Sequence, residues 1–284
     1  MRFNTTFLGS AYLSGQFEEE WLHKEDEYGK TLGEWLVDRA ESIDMIVNAY
    51  KTPYIRPQDV FLESHIEQGP ILEKSNHALG VFTKIAAQLR SEIILTGCAG
   101  HAGTIPASLR NDPLPVASEM ILAVNQMCKS DELIRSTVGH LEVIPNASNV
   151  IPGTVKFSID MRYPDLKGLR RVHNKLSQEI KSIAKRSDLK FEYKLVHEAS
   201  DAQLDQRLTD ILAESCEVMQ GSSPRMFSGA GHDSMKLAQV CPASMLAVRC
   251  KDGLSHHPDE FATNADCILA CLLYTSDAAD DPTC

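Results

Sequence analysis

The segment FLESHIEQGP, residues 61–70, sets a histidine between two glutamates at the end of an apolar run. The alternation of Ile66 with its polar neighbours predicts a strand that carries His65 and Glu67 on one face and Ile66 on the other, and Gly69-Pro70 ends it. An imidazole in such a place can bind a transition metal or transfer protons. A hydrogen-bonded structural histidine is the commoner role at a strand end, so the rest of the chain has to decide between these alternatives.

Three further stretches hold polar residues that a purely structural segment would not need. They are GCAGHAGTIP (97–106), PNASNVIPGTVKFSIDMRYPD (145–165), and the pair SGAGHDS (228–234) with GLSHHPDE (253–260). Each stretch alone is weak evidence for a functional site. A histidine between glycines also fits an ordinary loop, and Gly229-Ala-Gly231 lacks the strand-G-x-G-x-x-G-helix context of a phosphate loop. The sequence contains no G-x-S-x-G, H-E-x-x-H or G-x-x-x-x-G-K-[ST] motif, so other familiar chemistries have no support.

The composition is that of a soluble globular protein. The 284 residues allow two domains of about 150 residues each, and the net charge of −11 argues against nucleic acid or an anionic membrane as a partner. No apolar stretch is long enough to span a bilayer, and the N-terminus lacks a basic start followed by an apolar signal core. The eight cysteines include no C-x-x-C pair, which favours reduced thiols and a cytoplasmic location.

The sequence pattern from residue 81 onward predicts a βαββαβ unit. Its elements are predicted as a strand (91–99), a helix (113–128), two strands (136–145 and 154–163), a long helix (166–186) and a last strand (189–199). This order predicts a four-stranded antiparallel sheet that carries two helices on one face.

The flanking segments predict a second α/β domain that this unit interrupts. Helices are expected at 31 to about 42, where Thr31-Leu-Gly-Glu34 forms a capping box, at 205–219 and at 262–273, with a buried strand at 244–250. We therefore divide the chain into residues 1–80, 81–200, 201–273 and a tail, 274–284, with joints near Leu79-Gly80 and Ser200-Asp201. The tail loses apolar periodicity, and we expect it to be non-native read-through.

Taken together, the motifs resemble the M20-type metallo-amidohydrolases, in the branch of N-carbamoyl-L-amino acid hydrolase, β-ureidopropionase and allantoate amidohydrolase. The resemblance runs from residue 2 to about residue 273 and rests on motifs in the family's order and approximate spacing: HIEQGP, GHAGTIP with a following R-x-D (Arg110 to Asp112), SNVIPG, D-x-R, SGAGHD and SHHPDE. It implies a metallopeptidase-like α/β catalytic domain interrupted by a lid and dimerisation domain.

The resemblance also implies a site with two divalent metal ions. His65 would bind one ion and His256 the other, with zinc as the leading candidate and manganese, cobalt or nickel as alternatives. His232 would support the metal site without binding the metal, or else be an ordinary turn histidine. His257 would be a surface neighbour.

The resemblance gives four residues roles toward the substrate. Gln68 would hold the ureido or amide group, or else be an exposed strand-end amide. His101 would reach the partner subunit's site and stabilise an oxyanion, or else be a turn residue. Asn149 and Arg162 would bind the substrate's α-carboxylate, since a guanidinium can form a bidentate fork. Asp160 could instead pair with Arg162 as a structural salt bridge.

In the family the remaining metal ligands and the general-base glutamate precede the R-F-x-x-x-x-L-G-S segment, which here directly follows Met1. We therefore expect the first part of the catalytic domain to be missing and residues 1–284 alone to be inactive. The implied reaction is hydrolysis of C–N bonds in N-carbamoyl amino acids by a homodimer, with allantoate as the alternative substrate. A non-catalytic binding or dimerisation module is the alternative from another class.

Overall fold

The computed structural model describes residues 2, 3, 5–38 and 53–279, and the side chains of its last helix up to Leu273. The α-helices are, in chain order, α1 (Leu8–Leu13), α2 (Leu32–Val37), α3 (Ile71–Lys74), α4 (Pro113–Ser130), α5 (Leu166–Lys185), α6 (Gln206–Gln220), α7 (Ser234–Leu237) and α8 (Asn264–Ala279). The strands are β1 (Phe61–Ile66), β2 (Leu79–Ile85), β3 (Ala87–Thr96), β4 (Gly100–His101), β5 (Arg135–Thr137), β6 (Leu141–Ile144), β7 (Val150–Ile151), β8 (Thr154–Tyr163), β9 (Lys190–Ala199), β10 (Ala202–Gln203), β11 (Arg225–Ser228) and β12 (Ala243–Val248).

The chain forms two compact units. The first joins Met1–Ile85 to Ala202–Cys284, and the second is Ala86–Asp201. The joint that the sequence predicts near Leu79-Gly80 lies inside β2, which pairs with β12 and β11 of the first unit. Within the described ranges, no helix has the length and apolar character needed to cross a membrane.

A mixed sheet forms the centre of the first unit, with strand order β1-β12-β2-β10 and β11 also paired to β2. β1 and β12 run parallel, whereas β12 and β2 run antiparallel. Every residue of β12 is buried, which explains the continuous apolar run that predicts this strand. One face of the sheet packs around Phe82 and Met245, and the other contacts α6 and α8 through Val81 and Leu246.

β10 pairs with the end of β2 at the place where the chain leaves the first unit and returns to it. Ala202 lies opposite Ile85 and Gln203 opposite Lys84 in an antiparallel ladder. The two places where the chain passes between the units are therefore adjacent in one sheet.

The second unit confirms the predicted βαββαβ order. Its sheet has the order β5-β8-β3-β9, with β6 also beside β8, and every pair is antiparallel. β5 pairs with the end of β8 and β6 with its beginning, so the two short strands fill one of the four predicted strand positions. The single strand predicted at 136–145 is thus interrupted at residues 138–140.

Alternating side chains build the core of this unit. β8 buries every second residue, including Phe157, Ile159 and Met161, under α4 and α5, as expected for a sheet with one covered face. Asp112 caps α4 by accepting from Leu114 N, and Pro113 occupies the first turn, a favoured position for proline.

The flanking helices begin near their predicted positions. The Thr31–Glu34 capping box is formed at the start of α2, but the helix ends at Val37, and residues 39–42 of the prediction lie outside the described residues. α6 begins after the cap Asp205. α8 continues to Ala279, six residues beyond its predicted end, while residues 280–284 of the predicted tail are not described.

Candidate active site

His65 lies near the end of β1, and His256 lies in the segment that follows the neighbouring strand β12. β1 and β12 are parallel, and their last residues, Ile66 and Val248, lie side by side. Segments that leave these strands therefore start at the same edge of the sheet. This edge, at the carboxyl ends of parallel strands, is where open α/β sheets usually bind ligands.

His65 has the ring orientation of a metal ligand. Its Nδ1 lies 2.8 Å from the carbonyl oxygen of Ile66, and because a carbonyl can only accept, Nδ1 carries the proton. The lone pair is then on Nε2. A backbone carbonyl that holds the other ring nitrogen is the usual arrangement for a metal-binding histidine.

His232 packs against His65, as its predicted supporting role requires. The two rings meet edge to face with centroids 4.6 Å apart, and His232 is only 3% exposed. Its Nε2 lies 2.6 Å from Ser228 Oγ. Burial, assisted by the neighbouring His65, lowers the pKa of His232 to about 4, so the ring is neutral at physiological pH.

The Nδ1 atom of His232 is a buried polar atom without a hydrogen-bond partner among the described residues. It points toward Glu63, whose Oε1 is 3.9 Å away. The other oxygen of Glu63 accepts from the backbone N and the Oγ of Ser234, at 2.9 and 2.6 Å. Glu63 therefore ties β1 to the segment that follows His232.

The turn after β1 differs from the prediction at Glu67. β1 ends at Ile66, so Glu67 does not share a strand face with His65. The Glu67 carboxylate is buried and accepts from the backbone N–H groups of Ile71 and Leu72, both at 2.8 Å. Glu67 therefore satisfies the first turn of α3, because helix N-termini leave N–H groups in need of acceptors.

Gln68 links the two turns. Its backbone is left-handed, with φ of 55°, an uncommon conformation for residues other than glycine. Its Nε2 donates to Ser255 Oγ at 2.7 Å. Gly253 packs directly on the same turn, because a Cβ at Gly253 would lie 2.6 Å from Gly69 C and Pro70 N.

His256 comes directly after Ser255 in the chain, and it is exposed. It is also left-handed, with φ of 57°, and its backbone N donates to Glu260 Oε2 at 3.2 Å. The exposed His257 accepts from Asp259 N at 3.1 Å.

The described residues include side chains that could bind a metal ion, but they do not form a complete coordination sphere. His65 has the donor chemistry that zinc and similar ions need. No group of three or more His, Cys, Asp or Glu side chains within the described part of the chain lies close enough to hold a metal ion. Each ion would therefore need further ligands.

In the second unit, the structure fixes the tautomer of His101. Gly103 N donates to His101 Nδ1 at 3.0 Å, and a backbone N–H can only donate, so the neutral ring carries its proton on Nε2. The exposed side chain thus presents a hydrogen-bond donor. Arg110 holds the same loop by donating to the carbonyl oxygens of Ile105 and Ala102, at 2.9 and 2.6 Å.

Asn149 lies beside His101. Val150 pairs with His101 in the short β4–β7 ladder, and Ala102 N donates to Asn149 O at 3.0 Å. The Asn149 side chain is exposed. The ladder therefore brings two of the predicted substrate-binding residues together.

Arg162 forms the salt bridge with Asp160 that the sequence left as an alternative. Its Nε and Nη2 lie 2.9 and 3.3 Å from the two carboxylate oxygens, and Arg90 Nε and Gln88 Nε2 also donate to Asp160, at 3.0 and 2.5 Å. Burial alone would raise the pKa of Asp160, but the arginines and Gln88 outweigh it and hold the pKa below its ordinary value. The carboxylate thus stays ionised and fixes the guanidinium.

Several residues of the site were not predicted. Ser255, Ser228 and Gly253 act through contacts between segments far apart in sequence. For Glu63 a signal was present, because a residue two positions before His65 shares its strand face.

Comparison with known proteins agrees with the motifs. The family model described as "Peptidase family M20/M25/M40" matches residues 7–280. An N-carbamoyl-L-amino-acid amidohydrolase from Pseudomonas sp. (strain NS671) is 35% identical over 97% of this chain and 67% of its own length. A probable allantoate deiminase from Oryza sativa subsp. japonica is 35% identical over 94% of this chain and 60% of its own length.

Solved structures show the same fold. The crystal structure of an amidase of the hydantoinase/carbamoylase family from Burkholderia multivorans has a TM-score of 0.83 and 35% identity, covering 96% of this chain and 67% of the other. AtUAH in complex with (S)-hydroxyglycine has a TM-score of 0.77 and 31% identity, covering 96% of this chain and 66% of the other. The chain thus spans between 60% and 67% of the length of these four relatives. With a family match over residues 7–280, it belongs to peptidase family M20/M25/M40.

Proposed function

We propose that this protein is a metal-dependent hydrolase of C–N bonds in N-carbamoyl (ureido) amino acids. The relative named N-carbamoyl-L-amino-acid amidohydrolase and the structural relative named as a hydantoinase/carbamoylase amidase support this substrate class. The observation that carries the proposal is the Gln68–Ser255 hydrogen bond of 2.7 Å, because it joins the turn after His65 to the segment of His256 at one edge of the sheet.

Members of the family typically depend on two metal ions. We assign His65 to one ion and His256 to the other, with zinc as the first candidate and manganese, cobalt or nickel as alternatives. When bound, the two ions supply Lewis acidity that polarises the ureido oxygen and activates water.

The chain's own residues would then bind and orient the substrate. Gln68 holds the ureido group through its carboxamide. His101 donates a hydrogen bond from its Nε2–H to the oxygen that gains negative charge, and the Gly103–His101 hydrogen bond supports this role because it leaves the proton on Nε2.

Arg162 and Asn149 would bind the α-carboxylate of the substrate. The ion pair with Asp160 is compatible with this role, because a guanidinium held through Nε and Nη2 loses less side-chain freedom when it binds an anion.

We further propose a homodimer formed through the second unit, in which His101 serves the partner's site. Among the described residues, β9 has β3 as its one neighbour in the sheet, and it exposes Leu195 and Val196, at 51% and 59%. An open strand edge needs pairing or cover. For the cell compartment we propose the cytoplasm, since the seven described cysteines are all free thiols.

Allantoate is the second candidate substrate, because it also joins ureido groups to a carboxylate and because several relatives carry names of allantoate-degrading enzymes. A binding or dimerisation module without catalysis is the alternative from another class. Metal content separates the two classes, since the hydrolase requires two bound transition ions per subunit and the binding module requires none.

The test is ammonia release by the extended protein, which is residues 1–284 preceded by the catalytic segment expected from the sequence. Its substrates are N-carbamoyl-L-methionine, its D-enantiomer and allantoate, each with zinc, manganese, cobalt or nickel added. Metal-dependent turnover of the L-ureido compound, lost in His65→Ala and retained in the surface variant His257→Ala, would support the proposal. Turnover of allantoate alone would select the second candidate. A protein that binds no metal and releases no ammonia from any of the three would contradict the proposal.

A further inference from the structure

The hydrogen bond between Gln68 and Ser255 restricts which groups Gln68 can present to a ligand. Gln68 donates through Nε2, and Ser255 Oγ accepts at 2.7 Å. A carboxamide is planar, with donors on one side and an acceptor on the other. Once the nitrogen is directed to Ser255, the orientation of the carbonyl oxygen is also set.

The two turns that carry this bond are held rigidly. Gly253 has φ of 63° and packs so closely that a Cβ there would lie 2.6 Å from Gly69 C and Pro70 N. Asp252 N donates to Glu73 Oε2 at 2.8 Å. Ser255 therefore holds a defined position relative to the Gln68 turn, and its hydroxyl can act as a fixed reference for the carboxamide.

We propose that Ser255 is a positioning residue that makes Gln68 an acceptor for the terminal –NH2 of the substrate. This inference rests on the proposed function, in which Gln68 holds the ureido group. An acceptor at that place selects an N-carbamoyl group, which ends in N–H donors, over an N-formyl group of similar size, which has none there. A site that hydrogen-bonds a substrate N–H rejects analogues that lack it, because its own polar group is left unpaired.

The same contact explains why the left-handed backbone of Gln68 is useful. With φ of 55° the residue turns sharply at the end of β1, and this turn lets the side chain reach Ser255, 187 positions further along the chain. Unusual backbone conformations often occur where a side chain must be aimed. Ser255 then provides the partner that keeps it aimed.

The experiment compares N-carbamoyl-L-methionine and N-formyl-L-methionine as substrates of the metal-loaded extended protein, which carries the catalytic segment expected before residue 1. We expect Ser255→Ala to raise KM for the carbamoyl compound about fivefold or more, the effect of one lost hydrogen bond, with kcat within about twofold and little change for the formyl compound. Ser255→Thr keeps the hydroxyl and should retain the wild-type ratio. Ser215→Ala, at a half-buried serine of α6 whose Oγ donates to Ile211 O of the same helix, is the matched control.

A second measurement needs no substrate. The side-chain amide signal of Gln68, assigned by its absence in Gln68→Glu, should shift in the ¹⁵N spectrum of Ser255→Ala and stay in place in Ser215→Ala. An unmoved signal, or a parallel loss of activity on both substrates, would overturn the inference while leaving the proposed function intact. Wild-type protein that acts on neither compound, nor on allantoate, would overturn both.

Discussion

The imidazole of His232 lies edge-on against that of His65, with ring centroids 4.6 Å apart and an interplanar angle of 75°. His65 is at the end of β1, whereas His232 precedes the short helix α7, so the contact joins two segments far apart in sequence. His232 is in turn fixed by Ser228 and packs against Phe82. The rotamer of His65 is therefore restricted by a buried ring that does not itself need to bind a ligand.

Replacing His232 tests this support. We expect His232→Ala to weaken zinc binding by the protein roughly tenfold or more, because residues that orient a metal ligand typically contribute 10- to 100-fold in affinity. The affinity would be measured by competition with a chromophoric chelator. His257→Ala removes an exposed imidazole near the other turn and should leave the affinity unchanged. Equal affinities of wild type and His232→Ala would remove His232 from the metal site.

Replacing Arg162 tests carboxylate recognition. Arg162→Lys keeps the charge but loses the planar fork. In the extended protein, we therefore expect KM for N-carbamoyl amino acids to rise at least about tenfold, as for a lost charged hydrogen bond. Arg170→Lys changes an exposed arginine of the same unit that pairs with Glu198, and its KM should match wild type. An unchanged KM in Arg162→Lys would mean that the Asp160 pair is purely structural.

Mixing two inactive variants tests whether His101 acts across the proposed dimer. His101→Ala and His65→Ala subunits of the extended protein, combined by refolding or co-expression, should recover about a quarter to a half of wild-type activity, since a heterodimer contains one intact site under this arrangement. Mixed dimers would be confirmed by mass spectrometry. No recovery in confirmed heterodimers would restrict His101 to its own subunit or remove its role.

The stability of the second unit should depend on pH through His173. Its Nε2 lies 2.9 Å from Tyr193 Oη and 3.3 Å from Ser91 Oγ. Burial lowers the pKa of His173, with Lys181 acting in the same direction and Asn174 and Glu198 opposing it. Since the unfolded chain then binds the proton more readily, stability is fully present above about pH 6.5 and is lost as the pH falls below it.

Urea unfolding at pH 7.5 and pH 5.5 would measure this effect. His173→Gln should lose less free energy of unfolding between the two values than wild type does. His197→Gln removes an exposed histidine of β9 and should lose as much as wild type. The same loss in His173→Gln would show that other groups cause the acid sensitivity.

The second unit could be predicted almost completely from sequence because its signals are local. α5 buries Leu169, Val172, Leu176 and Ile180 at helical spacing, and β8 buries alternate residues. These patterns reflect one covered face each. The break between β5 and β6 was not predicted, although Gly139 stands inside the strand pattern, where an isolated glycine suggests a bulge.

The motifs predict which residues of the candidate site would bind metal, but not the residues that support them. His65 and His256 stand in recognisable motifs, but the bond from Gln68 to Ser255 spans 187 positions, and local periodicity has no information about such a contact. The expectation that Glu67 shares a strand face with His65 was wrong for a related reason. The N–H groups of Ile71 and Leu72 need an acceptor, and this need ends the strand one residue earlier than alternation suggests.

Arg162 illustrates a second reason why the sequence alone could not define the candidate site. The D-x-R spacing puts Asp160 and Arg162 on the same face of β8, so a salt bridge and an anion site were both reasonable interpretations. The structure adds Arg90 and Gln88 as donors to Asp160. These come from β3 through strand pairing, which sequence alone does not specify.

Because β2 and β10 pair with each other, the second unit is an inserted domain whose two ends are adjacent in the first unit. The stretch from Ala86 to Asp201 is 116 residues long (201 − 86 + 1), yet the residues that flank it, Ile85 and Ala202, are already opposite each other in the first unit's sheet. A chain that replaced this stretch with a two-residue β-turn would leave β2 and β10 as an ordinary hairpin. Insertions with adjacent ends are well tolerated by their host domain. Such a joint lets the host keep one sheet while the inserted domain diverges, is exchanged or is removed.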